Sequence, residues 1–320
     1  MGERLERAPG LTAPAVAAPA GPGDQSPARP AGRGRGASRF FRLHPWASLT
    51  ALLTAPLLWL IVIYLGSLAV LVVSAFFSID EFTNQTTTEL TTANVREVLG
   101  TRPYWDTVIR SIGVAAAVTV LSLVIALPLA FYIAKLAKPW ARRGLIVSAT
   151  LPLWAGYLVK AYAMRAVFEP GGSSGGGGFL EGAIGWTPGF GLPAVVLTLT
   201  YLWVPFMILP IYAGLDRLPS SLLDASGDLG GRPFRTFRSV VLPLLVPAIA
   251  AGSIFTFSLS LGDYITVKIV GSKTQLIGNL IERTLLAPNV PLAAAFTLWP
   301  IVIMVLYLVV MARLGAFESL

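Results

Sequence analysis

The sequence predicts an all-α integral membrane protein with six transmembrane helices. Composition is the first sign: 55% of the 320 residues are hydrophobic and only 12% are charged, with a mean hydropathy of +0.71. Soluble domains carry about 25% charged residues. Span count is the second sign. A helix needs about 20 apolar residues to cross about 30 Å of hydrocarbon. Six stretches qualify, at about 50–76, 108–134, 145–168, 191–214, 244–266 and 292–312. The distribution of cations is the third. Of 24 Lys and Arg, sixteen fall in the N-terminal tail, the second-to-third connection, the 216–243 loop and the C-terminus. Six fall in the alternate loops and span edges, and Lys160 and Arg165 lie inside the third span. Cytoplasmic loops carry the excess of Lys and Arg, so both termini and the 216–243 loop are expected in the cytoplasm.

The chain starts with a tail, residues 1–43, dominated by Ala, Pro, Gly and Arg. It has no apolar periodicity and cannot offset its chain entropy, so it is expected to be disordered. Its basic run, Ala28 to Arg39, suits anionic headgroups at the cytoplasmic face of the bilayer. Nucleic acid is not expected as a partner, because the cations flank spans instead of forming one stripe. His44, the only histidine, stands beside Pro45 and Trp46 and reads as an interfacial residue. Residues 44–320 form the transmembrane domain.

The first outer loop, about 77–107, is polar and rich in Thr and Asn, and its Asn84-Gln85-Thr86 triplet reads as a chance sequon. Pro56, Pro128, Pro152, Pro205 and Pro300 interrupt the spans, which membrane helices tolerate when neighbours satisfy the freed carbonyls. Gly252 and Gly262 are expected to permit close helix packing. The second outer loop carries a glycine run from Gly171 to Gly178, followed by Phe179 and Leu180 and not by the Lys-Ser/Thr of a phosphate loop. Gly271-Ser272-Lys273-Thr274 likewise lacks the full motif, so no nucleotide site is visible. With no cysteine, disulfides and thiolate chemistry are excluded. No cofactor or metal is expected.

An intramembrane cation costs about 2.5–3.5 kcal/mol on insertion scales, which makes such residues functional candidates. Lys160 falls about 23 Å along the third span at 1.5 Å per residue, in its outer half, where a lysine can snorkel or line a path. Arg165 with Glu169 reads as an interfacial ion pair. Asp263, near the outer end of the fifth span, suits pairing with Lys268, a capping role, or a carboxylate facing a cationic substrate. Tyr264, Trp154 and Trp299 are candidate cation–π faces. The candidate substrate path is Asp263, Tyr264, Lys160 and Trp154.

One polar stretch set between two spans, Asp216 to Pro247, is far longer than a connector needs. Pro219 suits a first helical turn and Ser221 with Asp224 a capping box. Gly230 and Gly231 suit a helix stop. A second short helix is expected from Arg232-Pro233, with Phe234, Phe237 and Val241 on one side and Arg235 and Arg238 on the other. Leu242-Pro243 then opens the fifth span. This is an elbow with apolar and basic surfaces.

D-A-S-x3-G-x9-V-x-L-P, from Asp224 to Pro243, resembles the E-A-A-x3-G-x9-I-x-L-P signature of membrane subunits of bacterial ABC importers, departing at Asp224, Ser226 and Val240. Leu151 to Ala163 and Gly262 to Ile281 are similar to the spermidine/putrescine branch, whose members commonly carry Arg where Lys160 stands here. The resemblance covers about residues 45–315. It implies a type I ABC importer permease fold in the bacterial inner membrane, in which the elbow is the coupling helix that docks on an ATPase. It also implies a homologous second permease, an ABC ATPase dimer and an extracytoplasmic substrate-binding protein. On that reading Leu223, Phe234 and Phe237 seat the elbow, and Asp224 and Arg235 orient it. Ala225, Gly230, Leu242 and Pro243 complete the motif. The function implied is a non-catalytic permease for polyamines or related small organic solutes, working by alternating access. One His, no Cys and no paired intramembrane carboxylates argue against an intramembrane enzyme. A stand-alone channel or secondary transporter is the alternative, and it would not need the elbow.

Overall fold

A computed structural model describes residues 53–54, 56–80, 85–171, 177–287 and 289–314. The tail, His44, Asn84 and most of the glycine run fall outside these residues. Two compact units divide the chain, Met1–Val62 and Ile63–Leu320; of the first, only the start of the first span is described.

The spans are α1 (Pro56–Ser74), α3 (Arg102–Leu136), α7 (Leu192–Arg217), α9 (Pro233–Leu261) and α12 (Val290–Arg313), together with a bent pair, α4 (Pro139–Trp154) and α5 (Tyr157–Phe168). Between them lie β1 (Phe77–Ile79) and β2 (Thr86–Leu90), an antiparallel hairpin, then α2 (Ala93–Gly100) and α6 (Phe179–Ile184). The elbow helix is α8 (Ser220–Asp228), and α10 (Ile265–Val270) and α11 (Ile277–Leu286) connect the last two spans.

The centre is a packed trio of α3, α7 and α9. Between lipid-embedded helices there is no hydrophobic drive, so close backbone approach through small residues supplies the attraction. α3 buries Ser111, Ala115, Ser122, Ala126 and Ala130 along one face. Across the α7–α9 contact, a Cβ on Gly214 would lie 2.9 Å from that of Ala248, and one on Gly252 only 2.7 Å from the Met207 sulfur. Gly252 thus does what its sequence position suggests. Gly262 does not: nothing lies within 4 Å of a Cβ there, because the residue ends α9 instead of packing against another helix.

Two expectations change. The third span is not one straight helix: α4 and α5 meet at 98° across Ala155-Gly156. Leu151-Pro152 tightens the end of α4 into a 3-10 turn, and both Ala155 and Gly156 are extended. The elbow's second helix is not separate either. It begins at Pro233 and runs unbroken into the fifth span, through a π turn at Phe237–Val241 just before Pro243. That turn re-spaces the ladder where Pro243 brings no N–H.

Candidate functional site

Two places gather the candidate residues. The first is the elbow. Pro219 precedes α8, and no side chain caps its first turn, so the expected Ser221–Asp224 box does not form. The glycine stop does form. Gly230 has φ +75, where a side chain is strained, and Gly231 donates to the Ser226 carbonyl at 2.8 Å. A Cβ on Gly231 would sit 2.6 Å from that same oxygen. Ser226 Oγ and Thr236 Oγ1, 2.8 Å apart, then tie α8 to the start of α9.

This closure sorts the anchors. Leu223 and Phe237 face inward onto the core of Ala130, Leu215 and Val241, and the Phe237 ring meets Phe131 edge-on at 6.0 Å. They hold the elbow together, and both also line an open cleft of about 300 Å³ with Phe131, Gly231 and Pro233. Phe234, 75% exposed, and Leu229, 90% exposed, are the most exposed apolar side chains of the elbow, with Leu222 exposed to a lesser degree. Asp224, Ala225, Gly230 and Arg235 are exposed beside them, Leu242 is half-buried and Pro243 exposed. Leu229 escaped the sequence reading because it sits in the turn, off the helical period.

The second place is a cleft of about 240 Å³ lined by Tyr157, Trp203, Leu259, Gly262, Asp263, Tyr264 and Ile265. Asp263 lies between α9 and α10, 8% exposed. Its Oδ1 accepts from the Thr266 N–H at 2.8 Å, and its Oδ2 accepts from the Tyr157 hydroxyl. The same hydroxyl lies 2.6 Å from Thr266 Oγ1. Tyr157 stacks on Trp203 with ring centroids 5.9 Å apart, and Tyr264 is partly exposed at the rim. The α11 start supports this loop from behind. A Cβ on Gly278 would lie 2.8 Å from the Gly262 carbonyl oxygen, and Asn279 Nδ2 donates to the Tyr264 carbonyl at 3.0 Å. The arrangement is a carboxylate held by donors in a cleft that Tyr157, Trp203 and Tyr264 also line. That set suits an organic ammonium group.

The expected path residues divide. Asp263 and Tyr264 line the cleft. Lys160 is buried on α5, 7% exposed, and does not line it. Trp154, at the end of α4, is 90% exposed and also lies off it. Tyr157 and Trp203 are the members that sequence spacing missed. Lys268 pairs with Glu282 at 2.7 Å and not with Asp263. Arg165 donates to the Ile269 carbonyl at 2.8 Å and lies 5.0 Å from the Phe190 ring centroid, in place of a Glu169 pair. Gly271 to Thr274 border an open groove with Arg110 and the start of α7.

Residues 34–317 match the family model described as binding-protein-dependent transport system inner membrane component. The chain belongs to this family. It is 44% identical to the inner membrane ABC transporter permease protein YdcU of Escherichia coli (strain K12), over 92% of this chain and 98% of that protein. It is 31% identical to the spermidine/putrescine transport system permease protein PotB of Haemophilus influenzae, over 66% of this chain and 74% of that protein. In structure it is similar to a chain of a bacterial ABC transporter involved in the import of the acidic polysaccharide alginate. That match has a TM-score of 0.61 at 15% identity and covers 88% of this chain and 98% of that one. A chain of the MetNI methionine ABC transporter gives 0.52 at 18% identity, covering 67% and 96%. These neighbours share the fold, that of type I ABC importer permeases. The permease is therefore a multi-pass inner-membrane subunit of an ABC importer. ATP hydrolysis lies in a separate subunit, and such permeases work with ATPase subunits and a periplasmic binding protein.

Proposed function

We propose that this permease carries small organic cations of the polyamine class inward, and that they pass the Asp263 cleft on the way. The observation that carries the reading is the cleft itself: a nearly buried carboxylate flanked by Tyr157, Trp203 and Tyr264. A membrane-embedded carboxylate is costly, and such groups mark substrate paths. The spermidine/putrescine names of the PotB relatives agree with that chemistry. Movement is by alternating access. The exposed Phe234 and Leu229 dock the elbow on an ATPase, Asp224 and Arg235 fix its orientation, and a homologous second permease completes the path. The elbow and both termini face the cytoplasm, in accord with the cation excess on that side.

Uptake of radiolabelled spermidine and putrescine by cells expressing the full importer tests the substrate class. Asp263→Asn is expected to lower uptake at least about ten-fold, the scale of one charged contact worth about 1.5–3 kcal/mol. Asp263→Glu is expected to retain part of it. Because Asp263 also bonds Thr266, membrane levels of each variant are measured alongside. Unchanged uptake in Asp263→Asn at equal levels would exclude the cleft from the path.

A further inference from the structure

We propose that Arg142 and Asp216, braced by Lys135, form a clasp that carries elbow movement through the broken third span to Tyr157 at the cleft. The proposal rests on the reading of the elbow as the ATPase dock and adds the route by which that dock reaches the substrate path.

The clasp closes at the root of the elbow. Arg142 is in the first turns of α4. Its guanidinium donates to the Tyr212 hydroxyl from Nε at 3.0 Å and from Nη2 at 2.8 Å, and it forms an ion pair with Asp216. Its central carbon lies 5.5 Å from the Tyr212 ring centroid. Tyr212 and Asp216 are one turn apart at the end of α7. Two residues beyond Asp216, the Leu218 carbonyl accepts from Lys135 Nζ at 2.7 Å. Pro219 and the elbow helix follow at once. The root of the elbow is thus gripped from both sides of the second-to-third connection, by the end of α3 and the beginning of α4. Lys135 also places a cation on free carbonyls at a helix C-terminus, where it is favoured.

The far end of the same span meets the cleft. α4 ends at Trp154, the chain turns by 98°, and α5 begins with Tyr157, the residue whose hydroxyl donates to Asp263. At the turn, a Cβ on Gly156 would meet only Val159, at 3.8 Å. Two helices joined at an uncrowded extended step are the geometry of a hinge. One arm is bonded to the elbow root and the other to the substrate carboxylate. An ion pair as exposed as Arg142–Asp216 does little for stability on its own. Its four-part arrangement is better matched to holding α4 in register with α7 when the elbow moves. Arg142 and Asp216 are positioning residues in this scheme, since neither touches substrate.

A claimed route between sites needs a measured two-state response. The chain has no cysteine, so Leu158→Cys on α5 and Lys273→Cys in the α10–α11 loop give its two sites for spin labels, used with cysteine-free partner subunits. Their separation is measured by pulsed electron resonance in the complete importer in nanodiscs, without nucleotide and with ATP and vanadate. The unmodified clasp is expected to give a nucleotide-dependent change in distance. Arg142→Gln and Asp216→Asn are each expected to abolish the change while the ATPase stays bound. The exchanged pair, Arg142→Asp with Asp216→Arg, is expected to restore it, and unfolding midpoints that stay unchanged in the single variants separate this role from a merely structural one. Persistence of the change in both single variants, or no response with the clasp intact, overturns the proposal. ATPase recovery with Gly231→Asp reports separately on the elbow: undiminished recovery there would count against the dock itself.

Discussion

At the residue scale, the functional candidates divide by what the backbone around them permits. Asp263 and Tyr264 are legible in the sequence because a carboxylate beside an apolar run is conspicuous. Tyr157 and Trp203 are not, since about 100 and 60 residues separate them from Asp263 and neither carries a charge. The glycines show the same limit. Gly262 and Gly278 both belong to the stretch that resembles the family, yet they differ in surroundings: open space beside one, the Gly262 and Asp263 backbone against the other. Gly278→Ala is therefore expected to destabilise the permease by about 1–3 kcal/mol, the usual cost of overpacking against fixed backbone. Gly262→Ala is expected to cost less than about 0.5 kcal/mol, as at an open site. Thermal unfolding of both variants in detergent checks the contrast, and equal midpoints would contradict it.

At the element scale, the glycine stop of the elbow was legible because Gly230 supplies a left-handed turn that other residues resist. The merging of the second elbow helix into the fifth span was not, because Leu242-Pro243 looks like a start when a π turn absorbs it. The bend in the third span was half legible: Pro152 and Gly156 stand in the sequence, but apolar length alone draws a straight helix through them. Elbow anchors depend on which way each side chain points, and helical spacing alone placed Phe234 and Phe237 together. Phe234→Ala and Leu229→Ala are expected to weaken ATPase binding by about 1–2 kcal/mol each, the range for an exposed apolar anchor at an interface. Leu223→Ala is expected to lower thermal stability instead, because its side chain packs inside. Co-purification from membranes, read beside unfolding midpoints, separates the two effects. Equal ATPase loss from Leu223→Ala at unchanged stability would reverse the assignment.

At the scale of the whole molecule, membrane class and span number follow from composition and apolar length, and the family resemblance follows from the loop motif and two further stretches, Leu151 to Ala163 and Gly262 to Ile281. The central packing of α3, α7 and α9 does not, because in lipid it depends on where small residues face and not on hydrophobicity. Topology is a further expectation at this scale. In spheroplasts, a single cysteine at Lys273 is expected to react with a membrane-impermeant maleimide, and one at Leu229 only after lysis; the opposite pattern would invert the orientation. Membership in the family argues against a stand-alone channel, so flux is expected to depend on ATP. The most direct measurement is spermidine accumulation by proteoliposomes that hold the purified importer and its binding protein, with ATP supplied on the elbow side or withheld. Uptake against a gradient that needs ATP, and that falls at least about ten-fold with Asp263→Asn while ATPase subunits remain bound, is the predicted result. Spermidine flux that ignores ATP, or that is indifferent to Asp263, would contradict the account.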